Sequence, residues 1–291
     1  MGTPVIVGVD DFEHSDLALA WAVETAVREQ RDLLVLSAYD DRTAYGVAAL
    51  AYAPDITGLL TAAAQDALTR AVEAARRQAP GLTVTGHIVH GNASTVLIEN
   101  SATAALVVVG SRGRGSVRSL IAGSVSITVA AHADSPVAVI THPRPHGPVV
   151  VGIDGSPTSD AALATAYTQA SLRRTSLTVV HTWTDLRLEA VNGFGITPEL
   201  LRQTKEQAHE IVGERLAGYS ADYPDVPVTT IVVPDGPAHQ LLHAAADAQL
   251  LVLGSRGRGG FTGLLLGSVS HTVLHHAPCP VLIVKPPHPK P

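Results

Sequence analysis

Short runs of apolar residues alternate with longer amphipathic stretches along this chain. In the first half, the apolar runs predict strands over Val5–Val9, Leu33–Ala38, Val84–Val89, Leu106–Val109 and Pro136–Ile140. The amphipathic stretches predict helices over Ser15–Gln30, Thr57–Ala79, Ser94–Thr103 and Ser124–His132. Ser15 is the expected N-cap of the first of these helices. Wholly apolar strands that alternate with helices indicate a parallel sheet covered on both faces.

The second half of the chain repeats the first half in a single register. The hexapeptide Gly110–Gly115 returns unchanged as Gly254–Gly259, and Gly123–Ser126 returns as Gly267–Ser270, 144 positions later in both cases. A constant offset across separated motifs indicates a tandem duplication. The same pattern then predicts strands over Val149–Ile153, Leu177–His181, Val228–Val233, Leu250–Leu253 and Val281–Val284. It predicts helices over Ser159–Arg174, Pro198–Ser220, Ala238–Ala246 and Ser268–His276.

A proline-rich segment, Thr141–Pro148, separates the two copies. We therefore predict two domains, residues 1–143 and residues 144–291, each close to the usual domain size. The predicted fold class is α/β, with two tandem doubly wound parallel sheets of five strands and helices on both faces.

Composition narrows the classes of function. The net charge of −6, with 20 Lys and Arg and no basic run, argues against a nucleic-acid partner. The longest apolar runs have strand length, which argues against membrane insertion. The N-terminus enters the strand-like segment Pro4–Val9 directly, so we expect no signal peptide. The single cysteine, Cys279, excludes an internal disulfide. These features predict a cytoplasmic protein.

The loop after the fourth strand of each copy is the main candidate for binding chemistry. In parallel sheets, ligands bind beyond the carboxyl ends of the strands. There, Gly110–Gly115 is followed by Gly123-Ser124 at the start of a helix, whose first N–H groups favour an anion. The loop lacks the lysine of a Walker A motif, and the loop after strand one lacks a Rossmann Gly-x-Gly-x-x-Gly. A simple turn without ligand remains the structural alternative.

The spacing of these glycines resembles a known signature. The pattern Gly-x2-Gly-x9-Gly-Ser is met by Gly110, Gly113, Gly123 and Ser124, and again by Gly254, Gly257, Gly267 and Ser268. It is similar to the ATP-binding signature of the universal stress protein family, in particular its tandem-domain actinobacterial members. The resemblance covers essentially the whole chain. It implies strand order 3-2-1-4-5 in each domain and ATP, with Mg²⁺, as the ligand.

The resemblance also implies which residues form each site. Carboxylates after strand one would lie at the adenine, residues after strand two would close over the base or ribose, and the glycine loops would hold ribose and phosphates. In the first copy these residues are Gly8, Asp10, Asp41, Gly110, Ser111, Arg112, Gly113, Arg114, Gly115, Ser116, Gly123, Ser124 and Val125. In the second copy they are Gly152, Asp154, Asp185, Gly254, Ser255, Arg256, Gly257, Arg258, Gly259, Gly260, Gly267, Ser268, Val269 and Ser270.

The two copies differ in the turn after strand one. The first copy has Asp10-Asp11-Phe12, whereas the second has Asp154-Gly155-Ser156, which is nearer the family pattern. An additional carboxylate beside a nucleotide weakens its binding electrostatically, especially at low salt. We therefore expect the second site to be at least as competent as the first.

Two histidines, His271 and His275, have the i, i+4 spacing of a helical zinc site. No Glu lies between them, and no nearby Cys or Asp completes a ligand set. The sequence therefore favours surface or packing roles, and we predict no metal site and no catalytic residue.

The leading hypothesis is an ATP-binding stress-response or regulatory protein with one adenine-nucleotide site per domain and, at most, slow ATPase activity. No catalytic base is evident for phosphoryl transfer. The alternatives are an adenine-nucleotide hydrolase and an interaction module with empty sites. We also expect the protein to form a homodimer and to act on a regulatory protein partner that the sequence does not identify.

Overall fold

The computed structural model describes residues 2–11, 13–41, 56–111, 122–183, 198–258 and 265–286. The chain divides into two compact units, Met1–Thr141 and His142–Pro291. The predicted seam lay two residues further along, between residues 143 and 144.

Each unit alternates strands and helices. The elements of the first unit are β1 (Val5–Val9), α1 (Glu13–Arg28), β2 (Leu33–Tyr39), α2 (Ile56–Gln78), β3 (Val84–His90), α3 (Ala93–Ser101), β4 (Leu106–Gly110), α4 (Ser124–His132) and β5 (Val137–Ile140). Those of the second unit are β6 (Val149–Ile153), α5 (Pro157–Arg173), β7 (Leu177–Thr182), α6 (Pro198–Leu216), α7 (Tyr219–Asp222), β8 (Val228–Val233), α8 (Pro237–Ala244), β9 (Leu250–Gly254), α9 (Ser268–His276) and β10 (Val281–Val284).

The strands of each unit are parallel. Their order is β3-β2-β1-β4-β5 in the first unit and β8-β7-β6-β9-β10 in the second. The register also repeats, since Val5 pairs with Leu33 just as Val149 pairs with Leu177. The predicted α/β fold class is therefore confirmed. In each sheet the strand order reverses beside the first strand of the unit, which is where such folds bind ligands.

Aliphatic side chains form the core of each unit. Every residue of β5 and β10 is buried, as expected for parallel strands covered on both faces. Glycines in the central strands permit close packing of helices. A Cβ at Gly8 would come within 2.9 Å of Leu97 on α3, and one at Gly152 within 3.0 Å of Leu241 on α8.

Several helix boundaries differ from the predicted ones by one to four residues. The first helix begins at Glu13 rather than Ser15, and the Ser15 hydroxyl accepts a hydrogen bond from the Asp10 N–H (2.9 Å) instead of capping the helix. The helix predicted over Pro198–Ser220 ends at Leu216 and is followed by the short α7. None of the described helices is both long enough and apolar enough to span a bilayer.

Candidate functional site

A cavity of about 660 Å³ lies at the carboxyl ends of β6, β7 and β9 in the second unit. Its volume is within the range of small-molecule sites. The predicted site residues that line it are Gly152, Asp154, Gly254, Arg256, Gly257, Arg258, Gly267, Ser268, Val269 and Ser270. Asp185, Gly259 and Gly260 lie outside the described residues, and Ser255 is buried beneath the loop.

The Asp154 carboxylate connects the turn after β6 to the glycine loop after β9. Its Oδ1 accepts a hydrogen bond from the Ser156 N–H (2.9 Å), and its Oδ2 accepts one from the Arg258 N–H (2.8 Å). The two hydrogen-bonded segments are 104 residues apart in the chain. Asp154 therefore links the turn after β6 to the glycine loop, and both segments line the cavity.

Hydrogen bonding keeps the Asp154 carboxylate ionised. Partial burial on its own raises the pKa of this group, because the charged form loses hydration. The hydrogen bonds from Ser156, from the Arg258 backbone and from Ser159 outweigh that cost, and the pKa of Asp154 lies below its usual value.

The turn after β6 is ordered by local capping. Ser156 is the N-cap of α5 and accepts from the Ser159 N–H (3.2 Å). The Ser159 hydroxyl in turn accepts from the Gly155 N–H (3.1 Å) and lines the cavity. Gly155 has φ +81°, a left-handed conformation that glycine adopts without steric cost.

The glycine loop begins and ends at one point of the second sheet. The Ser255 N–H donates to Val284 O (2.8 Å), and Ser255 O accepts from the Gly267 N–H (2.7 Å). The Ser270 hydroxyl donates to Gly254 O (2.7 Å) and so ties α9 to β9. Within the part of the chain that the structure describes, no side chain caps the amino end of α9, where the backbone N–H groups favour an anion.

Two arginines flank the turn after β6. A side chain at Gly155 would contact the guanidinium groups of both Arg258 and Arg215. Arg215, on α6, also donates to Gly155 O (3.1 Å) and pairs with Asp160. These two side chains place positive charge beside the cavity. Arg256, the other loop arginine, lines the cavity and is exposed.

Sequence reasoning missed Pro237, Leu241 and His181 as lining residues, whereas Trp183 falls in the segment after strand two that the resemblance implied would close over the base or ribose. Trp183 corresponds to Tyr39 in the first unit. The Trp183 Nε1–H is buried without a hydrogen-bond partner among the described residues. Pro237 and Leu241 of α8 add apolar surface. His181 is buried, and its Nδ1–H donates to Ile153 O (2.8 Å).

The first unit places its strand-end residues similarly. Gly110 ends β4, Gly8 lies one residue before the end of β1, Asp10 is exposed, and Ser111 is buried. Gly123, Ser124 and Val125 start α4, and Gly123 donates to Ser111 O (2.6 Å), as Gly267 does to Ser255 O. The five loop residues Arg112, Gly113, Arg114, Gly115 and Ser116 lie outside the described residues.

Carboxylates of the first unit have partners that the sequence did not suggest. Asp41 accepts hydrogen bonds from His90 Nε2 (2.8 Å) and Thr57 Oγ1 (3.0 Å). The hydrogen bond from His90 is the main cause that lowers the pKa of Asp41. Asp11, the additional carboxylate, pairs with Arg70 of α2. That cation offsets the charge we expected to weaken nucleotide binding.

Asp235 orders the start of α8, the helix that supplies the apolar wall of the cavity. Its carboxylate accepts from Gln240 Nε2 (2.7 Å), the Gly236 N–H (2.7 Å) and His239 Nδ1 (2.8 Å). These hydrogen bonds, with that from Gln240 the largest contribution, lower the pKa of Asp235 to about 2.

The lowered pKa predicts a pH-dependent effect of Asp235→Asn. A depressed folded-state pKa adds stability above the unfolded-state pKa of about 4, and that stability is lost as the pH falls through about 2. We expect Asp235→Asn to lower the free energy of unfolding at pH 6 and to have a smaller effect at pH 3. Urea denaturation of both proteins at the two pH values measures this. Equal differences at both values would contradict it.

A known protein family matches both units of this chain. The model of the universal stress protein family matches residues 1–141 and 146–285. The chain belongs to the universal stress protein family, as two consecutive copies of its domain. It is 38% identical over 297 residues to universal stress protein Rv2005c of Mycobacterium tuberculosis, with 97% of this chain and 96% of the relative covered.

Two further relatives have the same two-domain extent. Universal stress protein Rv2623 of Mycobacterium tuberculosis is 36% identical over 295 residues and covers 97% of this chain and 96% of its own length. A solved universal stress protein from Archaeoglobus fulgidus is similar with a TM-score of 0.64 and 20% identity, over 98% of this chain and 97% of that one. This structural likeness supports the fold.

Proposed function

We propose that this protein binds ATP with Mg²⁺, one nucleotide per unit, and acts as a nucleotide-dependent regulator in the stress response. The main observation in support of this proposal is the cavity of the second unit, where the glycine loop, the start of α9 and the turn after β6 meet. The equivalent strand ends of the first unit support a second site there.

The cavity lining combines two kinds of chemistry. Its polar part includes the glycine-loop backbone, the amino end of α9 and Arg258, and Arg215 lies at the adjoining turn after β6. Backbone N–H groups and guanidinium groups both bind phosphate oxygens. Its apolar part includes Trp183, Pro237 and Leu241. An aromatic face and aliphatic side chains suit a purine base.

The Trp183 Nε1–H has no hydrogen-bond partner among the described residues, which is a further reason to place the base beside this side chain. A buried donor without an acceptor costs free energy, and an acceptor nitrogen of a purine would satisfy it. Asp154 keeps lone pairs available beside its two backbone hydrogen bonds. An adenine amino group is one donor that these lone pairs would accept.

Magnesium would be held mainly by the nucleotide. Among the lining residues that the structure describes, Asp154 is the one carboxylate, and both its oxygens already accept backbone hydrogen bonds. Mg²⁺ usually keeps several waters and binds substrate phosphates with one or two protein oxygens. The Ser268 hydroxyl at the start of α9 is the available neutral oxygen on this wall.

The lining favours binding over turnover. Among the described lining residues, the groups able to accept a proton are Asp154 and His181. Hydrogen bonds lower the pKa of Asp154, so its carboxylate is a weak base, and His181 is a single buried imidazole. Fast hydrolysis requires a positioned water and stabilisation of the transferred group. We therefore expect ATP turnover below about 1 s⁻¹.

The two tryptophans allow a site-specific test of ATP binding. Trp183 lines the second cavity, whereas Trp21 is buried on α1 of the first unit. In a Trp21→Phe background, ATP with Mg²⁺ is expected to change Trp183 fluorescence saturably, and one of the two dissociation constants found by calorimetry should equal the constant that Trp183 reports. Mass spectrometry of denatured protein identifies any retained nucleotide.

Other results of the binding and turnover measurements would favour a different function. The proposal would be contradicted if no nucleotide is retained and if ATP at about 1 mM changes neither the heat signal nor the fluorescence. A dissociation constant of about 1 mM corresponds to a binding free energy of only about −4 kcal/mol. This result would favour an interaction module. Turnover well above about 1 s⁻¹ would favour a hydrolase.

A cytoplasmic location and a homodimer form part of the same proposal. Cys279 is fully buried, and burial raises the pKa of its thiol to about 12, so this thiol is protonated and unreactive. One inert thiol is compatible with a reducing compartment. The homodimer stays a prediction that light scattering tests, and the regulatory partner remains to be identified.

A further inference from the structure

Two histidine rings of the second unit meet on the surface of α9. The Nε2 atoms of His271 and His275 are 3.4 Å apart. The ring centroids are 4.6 Å apart, and the ring planes are inclined by 60°. Val273 and Leu274 are buried, so His271 and His275, two positions to either side of Val273, lie on the side of the helix away from it. His271 is exposed and His275 is half-buried.

The separation of the two nitrogens fits one metal ion. Zinc binds histidine nitrogens at about 2.0–2.1 Å, and a tetrahedral angle then separates two such nitrogens by about 3.3–3.4 Å. The observed 3.4 Å requires little movement of either ring. Without metal, one Nε2 must carry a proton to donate to the other. With metal, both would present lone pairs and carry their protons on Nδ1.

Comparison of the two units indicates that this pair is not required by the fold. The equivalent positions on α4 are Ile127 and Ala131. The neighbouring histidine, in contrast, is repeated. His276 and His132 both donate from Nδ1 to the carbonyl one turn earlier, each at 2.9 Å. The repeated histidine thus has a structural contact in both units, whereas the pair occurs in the second unit alone.

The spacing in the sequence alone favoured no metal site, but from the approach of the two Nε2 atoms we propose that His271 and His275 form a bidentate site for a divalent late transition-metal ion such as zinc. Among the residues the structure describes, no three His, Cys, Asp or Glu side chains are grouped to hold a metal. The remaining positions of the ion are therefore open to water or to a donor from another molecule. The site is consequently weaker than a four-ligand structural zinc site.

Metal binding would stabilise α9 at its carboxyl-terminal turns. A chelate between positions i and i+4 exists only while that turn is helical, so the ion binds the folded state in preference to the unfolded one. The site lies on the same helix whose amino end borders the proposed nucleotide cavity. It requires no nucleotide, and its test is independent of ATP binding.

The test is zinc titration of tag-free, nucleotide-free protein by calorimetry, with a thermal scan at each concentration. His271→Gln and His275→Gln are each expected to abolish one bound equivalent or weaken it at least tenfold. Both should also remove the corresponding rise of Tm with zinc. His276→Gln is the matched control, since it removes an adjacent histidine from the same helix and should retain that equivalent.

Thermal scans in the presence of EDTA show whether each variant is folded. Unchanged zinc binding in folded His271→Gln and His275→Gln would overturn the proposal. An equal loss in His276→Gln would also overturn it, because the ion would then be held by a different set.

Discussion

Replacing Gly257 with valine is expected to weaken ATP binding to the second unit about tenfold to a hundredfold. A Cβ at this position would collide with Oδ2 of Asp154. That oxygen accepts the Arg258 N–H, and the same carboxylate accepts the Ser156 N–H. Moving it breaks hydrogen bonds to a charged group, each contributing about 1.5–3 kcal/mol. The glycine loop would then separate from the turn after β6.

Calorimetric ATP titration of the Gly257→Val protein measures this effect. Gly213→Ala is the matched control, because a Cβ at Gly213 of α6 meets nothing within 4 Å and the change lies in the same unit. The control should retain the affinity of the unmodified protein. Unchanged ATP affinity in Gly257→Val, with or without lost turnover, would show that the loop does not hold the nucleotide.

Replacing Gly147 with valine is expected to destabilise the second unit by at least about 2 kcal/mol. Gly147 has φ +128°, which side-chain-bearing residues rarely adopt. A Cβ there would collide with the carbonyl oxygen of Asp247 and approach Gln249 N to 3.2 Å. The Gly147 carbonyl also accepts from Thr175 Oγ1 (2.8 Å) and Gln249 Nε2 (2.6 Å). Relief of the collision would therefore disturb two hydrogen bonds.

Differential scanning calorimetry and urea denaturation test the Gly147 prediction. For a unit of this size, about 2 kcal/mol lowers Tm by roughly 4–8 °C. The opposite sign is expected for Gly213→Ala, which removes a glycine from an exposed helix position and should stabilise by up to about 1 kcal/mol. Equal Tm values for Gly147→Val and the unmodified protein would mean that the backbone accommodates the side chain.

The two units have the same fold but differ at the turn after their first strand. In both units, an arginine from the helix that follows the second strand, α2 or α6, reaches this turn. Arg70 pairs with the side chain of Asp11, whereas Arg215 binds the backbone of Gly155 and the side chain of Asp160. Gly155 leaves room for two guanidinium groups. We therefore expect the two sites to have different ATP affinities.

The elements of the fold could be predicted largely from the sequence. Strands such as Val149–Ile153 and Val281–Val284 match the structure because parallel strands buried on both faces are uninterrupted apolar runs. Helix ends were less predictable, because a cap depends on which donor a hydroxyl meets. Ser15 has the right chemistry for a cap, but the fold presents the Asp10 N–H to it.

The candidate site was only partly predictable. The glycine spacing identified Gly254, Gly257 and Gly267, which the structure places along one cavity wall. Arg215 was not identified, because it is 60 residues from the Gly155 carbonyl to which it donates and has no motif of its own. The pairing of Asp41 with His90, on an adjacent strand end, was missed for the same reason.

By itself, the sequence determined the duplication, the parallel α/β class and the position of a glycine loop after the fourth strand, because periodicity and repeats are local properties of a chain. The tertiary structure alone decided which distant side chains meet. It brought the Asp154 carboxylate to the Arg258 N–H, and it buried the Trp183 Nε1–H beside the cavity without a hydrogen-bond partner in the described parts of the chain. Such contacts depend on how strands and helices pack, and no local pattern records that packing.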